Sequence, residues 1–306
     1  MHTNINDPNS AVSDTGSLLP SQNHYNKKVA VVTGSSSGIG YETALSLARN
    51  GLYTYATMRN LNKSKEIIEN ARNASLPLKV LELDVTSDES VSESIANIYG
   101  ECGRIDVVVN NAGYALVGTV EDLSMEELRG QFETNFFGAV RVIKAVLPHM
   151  RKQRSGTIVN VTSMGGRIAI PLDPAYHATK FALEGLSESM QYETSPFGIR
   201  IIVIEPGVVS SNFYGGLKIA KMSVDSSKPS PYSQMMQGIE KAAGQMLKYA
   251  IPPAEVAKVI VNAVSSNNPD FRYIVGDDAI QLIGAARSMS DREFREVMEK
   301  RFLSQL

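Results

Sequence analysis

Tyr176 and Lys180 stand four residues apart in Tyr176-His177-Ala178-Thr179-Lys180, within a stretch that reads as helix. At that spacing two side chains share one helix face, a turn from each other. A free phenol has a pKa near ~10 and exchanges protons poorly at neutral pH. A fixed ammonium nearby favours the phenolate and lowers that pKa by roughly 1–3 units. The pair therefore suits a general acid or base that trades a proton with a carbonyl or an alcohol. Many solvated helices carry the same two residues, so the pair gains meaning only from the chain around it.

That chain alternates strand and helix patterns from Lys28 to about residue 205, which predicts a parallel sheet with helices on both faces. Val29-Ala30-Val31-Val32 reads as a buried first strand. It runs into Thr33-Gly34-Ser35-Ser36-Ser37-Gly38-Ile39-Gly40, then a helix from Tyr41 to Asn50 that stops at Gly51. Glycines let a backbone turn sharply and approach a phosphate, and the new helix offers unpaired N–H donors at its positive end. Strand, glycines and helix follow in the order a dinucleotide site requires. An ordinary glycine-rich turn is the plainer alternative.

The second strand, Tyr53 to Met58, ends without the carboxylate that would hydrogen-bond an NAD ribose. That position is read as Met58, followed by Arg59, whose guanidinium suits a 2′-phosphate. NADP is therefore expected over NAD, with NAD still possible. A helix from Lys63 to Arg72, a strand from Leu78 to Leu83, a helix from Glu89 to Tyr99 and a strand from Ile105 to Val109 follow. Residues Ser124 to Lys152 form one long helical pattern, with Ser124 and Glu127 spaced as a capping box. Then come a strand from Thr157 to Val161, the helix from Pro174 to Glu193, and a strand from Ile199 to Ile204. Helix Pro253 to Ser265, strand Phe271 to Gly276 and a helical stretch from Ala279 to Leu303 complete the pattern.

Composition limits the alternatives. At 306 residues and 43% hydrophobic content the chain can bury a large core. A net charge of −2 and a pI near 6.1 give no electrostatic reason to expect nucleic acid or an anionic membrane. Cys102 stands alone, so no intrachain disulfide or cysteine metal cluster forms, and histidines 2, 24, 149 and 177 lack ligand spacing. No apolar run approaches a membrane span and no signal-peptide pattern opens the chain, so a cytoplasmic protein is expected. Residues 1–26, polar and poor in large apolar side chains, read as a disordered tail. Residues 27–306 read as a single doubly wound, Rossmann-like α/β domain.

The Gly-x-x-x-Gly-x-Gly spacing after Thr33, the Asn110-Asn111-Ala112-Gly113 turn and the Tyr-x-x-x-Lys pair resemble the single-domain branch of the short-chain dehydrogenase/reductase family. The resemblance spans roughly residues 27–287. It implies that Gly34, Ser36, Ser37, Gly38, Ile39 and Gly40 cradle the cofactor. Asp84 and Val85 would lie at the adenine, and Asn110 would contact the cofactor or serve sheet stability alone. Asn135 would distort its helix and hold a water that links the lysine to solvent. Ser163, thirteen residues before Tyr176, would orient the substrate oxygen, and Lys180 would hold the cofactor ribose. Val209 and Ser211, the latter in place of a threonine, would bind the nicotinamide carboxamide. The helices carrying Asn135 and Tyr176 would pair between subunits of a homodimer or homotetramer.

Residues 212–253 are expected to form a substrate lid, with packing by adaptable methionines as the equal alternative. Arg272-Tyr273-x-Val275-Gly276 resembles the hydroxysteroid and retinol dehydrogenase subgroup. No role attaches to His177. These residues together predict an NADP-dependent oxidoreductase acting on a small-molecule carbonyl or alcohol, bulky or elongated if the lid covers it, with no metal. The alternative is a catalytically silent dinucleotide-binding redox sensor or scaffold.

Overall fold

The computed structural model describes residues 27–211, 217–224, 227, 230–237, 244, 247–248 and 250–303. The expected tail, and Tyr214, Met246 and Tyr249 of the expected lid, lie outside the described residues.

The main sheet holds β1 (Val29–Val32), β2 (Tyr53–Met58), β3 (Leu78–Glu82), β4 (Val107–Asn110), β6 (Gly156–Val161), β7 (Ile199–Pro206) and β9 (Arg272–Val275). Their spatial order is β3-β2-β1-β4-β6-β7-β9, with every pairing parallel. Period-two alternation divides β1 between two cores. Ala30 and Val32 pack beneath α1 (Gly38–Arg49) and α7 (Pro253–Ser265). Val29 and Val31 pack on the other face against α3 (Asp88–Cys102) and α5 (Gly138–Gln153). A strand covered on both faces must be apolar throughout, which is why this run lacks polar alternation. The strand order turns back between β2 and β4, so a crevice opens at the carboxyl end of β1.

Two helical expectations change. The pattern from Ser124 to Lys152 is α4 (Met125–Phe132) and α5, joined by a π-helical turn at Glu133–Phe137. The capping box at Ser124 and Glu127 is present as expected. The stretch from Ala279 to Leu303 is α8 (Asp277–Ser288) and α9 (Asp291–Phe302), separated by a second capping box, Ser290 with Glu293. A small second sheet, β5 (Leu116–Val117) with β8 (Lys218–Ile219), has no counterpart in the sequence pattern. α2 (Lys65–Asn73) and α6 (Pro174–Thr194) stand close to their expected positions.

Candidate active site

The glycine loop after β1 is shaped by close approach. Gly34 has φ +69°, and a Cβ there would lie 2.8 Å from the Cα of Ala112. At Gly40 a Cβ would lie 2.4 Å from Asn111 Nδ2 and 2.5 Å from the Gly34 carbonyl oxygen. Asn111 locks the arrangement, since its amide donates to the Thr33 carbonyl at 3.0 Å. The Thr33 hydroxyl in turn accepts from the backbone N–H groups of Asn111 and Ala112. What remains is a narrow cradle at the N-terminus of α1, where Ser37 caps without using its side chain. Exposed backbone donors and a positive helix end fit a phosphate. Gly38 faces Ser211 across this loop, 3.3 Å from its Cβ for an added methyl, and Val209 bridges to Ile251 nearby.

Several sequence-predicted positions change partners. Asn110 donates to Asn160 Oδ1 at 2.9 Å inside the sheet, so its side chain serves the β4–β6 pairing and Asn111 holds the loop. Ser35 is fully buried and donates to the Val32 carbonyl, which removes its hydroxyl from any phosphate; Ser36 and Ser37 remain at the cradle. Met58 is only 3% exposed and packs in the core. The residue that faces out at the end of β2 is Arg59 itself, so an aspartate meant for a ribose belongs at position 59. Asp84 accepts from the Thr86 N–H and hydroxyl in a tight turn, and Val85 packs under Gly138.

The chemistry gathers where β6 meets α6. Ser163 leaves the sheet just past β6, and its oxygen accepts from the Gly165 N–H at 3.0 Å, leaving its hydrogen to donate. Lys180 is 6% exposed, donates to the Val161 carbonyl at 2.9 Å, and places Nζ 5.6 Å from the Tyr176 ring centre. The residues expected to act together are thus brought together. Their titration runs opposite to the simple expectation. Burial pushes the Tyr176 phenol up to about 12; a hydrogen bond with Ser163 opposes the rise and the carboxylate of Asp173 adds to it. Burial also pushes Lys180 down to about 8, against the charge of Glu184. Desolvation favours the neutral form of each group, and here it outweighs the Ser163 hydrogen bond at Tyr176 and the Glu184 charge at Lys180.

Asn135 lies within the π-helical turn, as the resemblance implied, and is 2% exposed. Its side chain accepts from the Tyr114 N–H at 3.0 Å, and donates to the Tyr114 carbonyl at 2.9 Å and the Thr179 hydroxyl at 3.3 Å. It fastens the loop after β4 to the helix that carries Tyr176.

Three supports are not legible in the sequence. His177, assigned no role, lies 2.8 Å through Nδ1 from the Gly165 carbonyl and accepts through Nε2 from the Ile170 N–H. This fixes a neutral ring with its proton on Nδ1, and burial holds its pKa down. His177 therefore staples the loop after Ser163 to α6. The adjacent glycine pair was a visible signal, because a Cβ at Gly165 would come 2.8 Å from that ring. Second, Asp278 Oδ2 accepts from the Val208 N–H at 2.7 Å and orders the segment that carries Val209 and Ser211.

The third support is a buried charge cluster behind Lys180. Glu184, 5% exposed, lies 2.6 Å from the Thr162 hydroxyl and 3.1 Å from Arg272 Nε. Glu205, fully buried, meets Arg167 at 3.1 Å and Arg272 at 3.4 Å. The arginine that marked the subgroup motif thus neutralises two buried carboxylates. Among the described residues, no group of histidine, cysteine and carboxylate side chains is arranged to hold a metal ion. No described helix is long and apolar enough to cross a membrane.

The family model for short chain dehydrogenases matches residues 28–222. Bovine retinol dehydrogenase 8 (Bos taurus) is 40% identical over 253 residues, covering 80% of each chain. A short-chain dehydrogenase from Streptomyces avermitilis superposes with a TM-score of 0.75 at 31% identity, over 91% of this chain and 97% of that one. An alcohol dehydrogenase from Thermococcus sibiricus, solved with 5-hydroxy-NADP, gives a TM-score of 0.67 at 28% identity, over 82% and 96% of the chains.

Proposed function

The chain belongs to the short-chain dehydrogenase family, in its retinol and hydroxysteroid dehydrogenase-like subgroup, and we propose that it reduces a carbonyl or oxidises an alcohol with NADP. It is an oxidoreductase of the nicotinamide dinucleotide class. The observation that carries the reading is the convergence of Ser163, Tyr176 and Lys180 at the carboxyl edge of the sheet, beside the α1 cradle. The crowded glycines and open helix N-terminus of that cradle fit a dinucleotide pyrophosphate. A bound nicotinamide supplies or takes the hydride.

The chain supplies the proton. Tyr176, protonated at neutral pH, donates its phenolic hydrogen to the carbonyl oxygen during reduction. Ser163 donates a second hydrogen bond to that oxygen and stabilises the charge developing there. Lys180 stabilises the phenolate left behind, so its charge lowers the cost of releasing the proton even though burial holds the resting pKa high. Asn135 braces this face, and reprotonation runs from Lys180 past it toward solvent. With a dinucleotide bound, Arg59 would meet the 2′-phosphate, Asp84 and Val85 would border the adenine, Asn110 would contribute its backbone, and Val209 and Ser211 would meet the carboxamide.

The described part of the lid segment supports a cover over this site. Ala220 packs with Leu116 and with Ala175, the neighbour of Tyr176, while Ser223 and Ser230 both donate to Asp122. Phe137, Phe181 and Tyr192 are exposed on the π turn and α6, which supports homo-oligomer assembly through these helices.

Two variants test the cofactor reading. Arg59→Ala should lower the NADPH-to-NADH ratio of kcat/KM by about tenfold, the low end for a charge-assisted contact, because the side chain is exposed and screened. A wild type that prefers NADH, or an unchanged ratio, would refute the Arg59 assignment. Gly40→Ala forces its Cβ against Asn111 and the Gly34 carbonyl. It should raise the NADPH dissociation constant about tenfold or more, the worth of one phosphate hydrogen bond, in a fluorescence titration. Unchanged binding would show that this cradle holds no phosphate.

A further inference from the structure

Lys180 carries the ammonium that stabilises the phenolate, yet it is buried and donates to a neutral group, the Val161 carbonyl. A buried ammonium calls for a compensating negative charge. The elements around it bring charged groups from several sides. Glu184 lies one turn further along α6, Glu205 comes from β7, Arg272 from β9 and Arg167 from the turn after β6. On the other side stand Tyr176, with Asp173 acting on it, and the neutral His177. Glu127 of α4 is held in its capping box, and Glu133 of the π turn pairs with Arg141.

The charges behind Lys180 do not cancel among themselves. Arg272 contacts three carboxylates, Glu184 at 3.1 Å, Glu188 at 2.7 Å and Glu205 at 3.4 Å. Arg167 contacts Glu205 at 3.1 Å. Two guanidiniums thus serve three carboxylates, which leaves one negative charge over. Glu184 is placed to direct it at Lys180, because a four-residue spacing puts both on one face of α6. Its Oε1 accepts from the Thr162 hydroxyl at 2.6 Å, and Thr162 follows the residue whose carbonyl holds Lys180. The two side chains are therefore anchored to adjacent residues at the end of β6. Gly166 closes the space behind them, where a Cβ would lie 3.0 Å from Glu184 Cγ and 3.1 Å from the Lys180 carbonyl oxygen.

We propose that Glu184 is a positioning residue for the reaction, whose carboxylate, fixed by Thr162 and Arg272, keeps the Lys180 ammonium charged beside Tyr176. This rests on the oxidoreductase reading above. Burial pushes Lys180 down to about 8, and Glu184 is the charge that opposes the fall. Burial pushes the Glu184 carboxyl up in turn, while Thr162 and Arg272 oppose that rise. Without the carboxylate nothing offsets the desolvation of Lys180, so it must lose its proton at lower pH.

The test follows kcat for reduction from pH 6 to pH 10, with NADPH and NADH. The substrate is the fastest in a panel of ketones, aldehydes and quinones that includes 2-octanone and 1-hydroxy-2-octanone. Glu184→Gln keeps the size of the side chain and the acceptor for Thr162 but removes the charge. Its alkaline limb should move down by about one pH unit, the low end for an opposite charge nearby. Its kcat relative to wild type should then fall about tenfold between pH 6 and pH 9. A purely structural role would lower kcat alike at every pH. Glu184→Gln leaves Arg272 short of a partner, so a second variant combines Glu184→Met with Arg272→Met, an apolar exchange that buried ion pairs tolerate. Its limb should move down as well. A further readout needs no turnover. The Cε NMR signal of isotope-labelled Lys180, assigned by its loss in Lys180→Met, should titrate about one pH unit lower in either variant.

A limb and a Lys180 midpoint that stay at their wild-type pH in either variant, or rise, overturn this assignment and leave the oxidoreductase reading standing. A wild type that turns over no member of the panel, with either cofactor, removes both.

Discussion

Tyr176→Phe should lose at least ~100-fold in kcat, the usual scale of a positioned general acid, while the NADPH dissociation constant stays close to that of wild type. The substitution deletes one oxygen and keeps the ring, so packing around α6 survives. The size of the effect follows from the site's electrostatics. Burial, helped by Asp173, holds the phenol near about 12, which makes Tyr176 a proton reservoir that is full at neutral pH. Among the described residues, neither neighbouring base replaces that proton, since Lys180 donates to the Val161 carbonyl and His177 is spent between Gly165 and Ile170.

The pH profile carries a second signature. Lys180 has its pKa depressed to about 8, so its ammonium is present below that value and lost as the pH rises through it. Reduction should therefore weaken above about pH 8, as the charge that stabilises the phenolate disappears. A profile that stays flat to pH 10 would place Lys180 outside the chemistry. Near-normal turnover by Tyr176→Phe would remove the tyrosine from its role.

Arg272→Met should destabilise the fold by about 3–5 kcal/mol, the cost of stripping the partner from a buried ion pair. At roughly 2–4 °C per kcal/mol, the melting temperature should fall by about 6–20 °C. Glu184 and Glu205 are both buried, and Arg272 contacts both, so its removal leaves two carboxylates repelling each other. Burial first, with Glu205 adding to it, already raises the Glu184 pKa above its ordinary value. A carboxyl with a raised folded pKa binds its proton more tightly when folded. The stability it contributes is present at low pH and is lost as the pH rises through the folded value. The deficit of Arg272→Met should accordingly be larger at pH 8 than at pH 5.5, measured by thermal unfolding at both. A melting temperature within 2 °C of wild type at pH 8 would show that the cluster carries no net stability.

Much of this fold was legible because the strands are covered on both faces. Val29–Val32, Val107–Val109 and Ile201–Ile204 are unbroken apolar runs, and the turns between them bear their own signals, such as Gly51 and the Ser124 capping box. The same signal stands at Ser290 and Glu293, where a second capping box splits the C-terminal helical stretch. Periodicity could not reveal the π turn at Glu133–Phe137, because one extra residue per turn barely disturbs the apolar stripe.

Within the site, Ser163, Tyr176 and Lys180 were readable from type and spacing. The choice between neighbours was not. Met58 or Arg59, and Asn110 or Asn111, differ only in which side of a strand end each one faces, and a single position reverses that direction. The supports were harder still. Asp278 and the Arg272 cluster act across long sequence separations, where composition holds no trace of the contact, while His177 acts within twelve residues and is hinted at only by the glycine packed against its ring.

Hydride transfer itself is the central claim, and isotope tracing tests it most directly. The protein is incubated with reduced cofactor deuterated at nicotinamide C4 on one face at a time, together with 1-hydroxy-2-octanone and with 2-octanone, and the alcohol product is examined by NMR. One face of the cofactor should deliver a single deuterium to the carbinol carbon, the other face none, and Tyr176→Phe should slow delivery at least ~100-fold. A protein that binds the cofactor tightly yet delivers no deuterium to a panel of ketones, aldehydes and quinones would be a sensor or scaffold, and that outcome would contradict the oxidoreductase assignment.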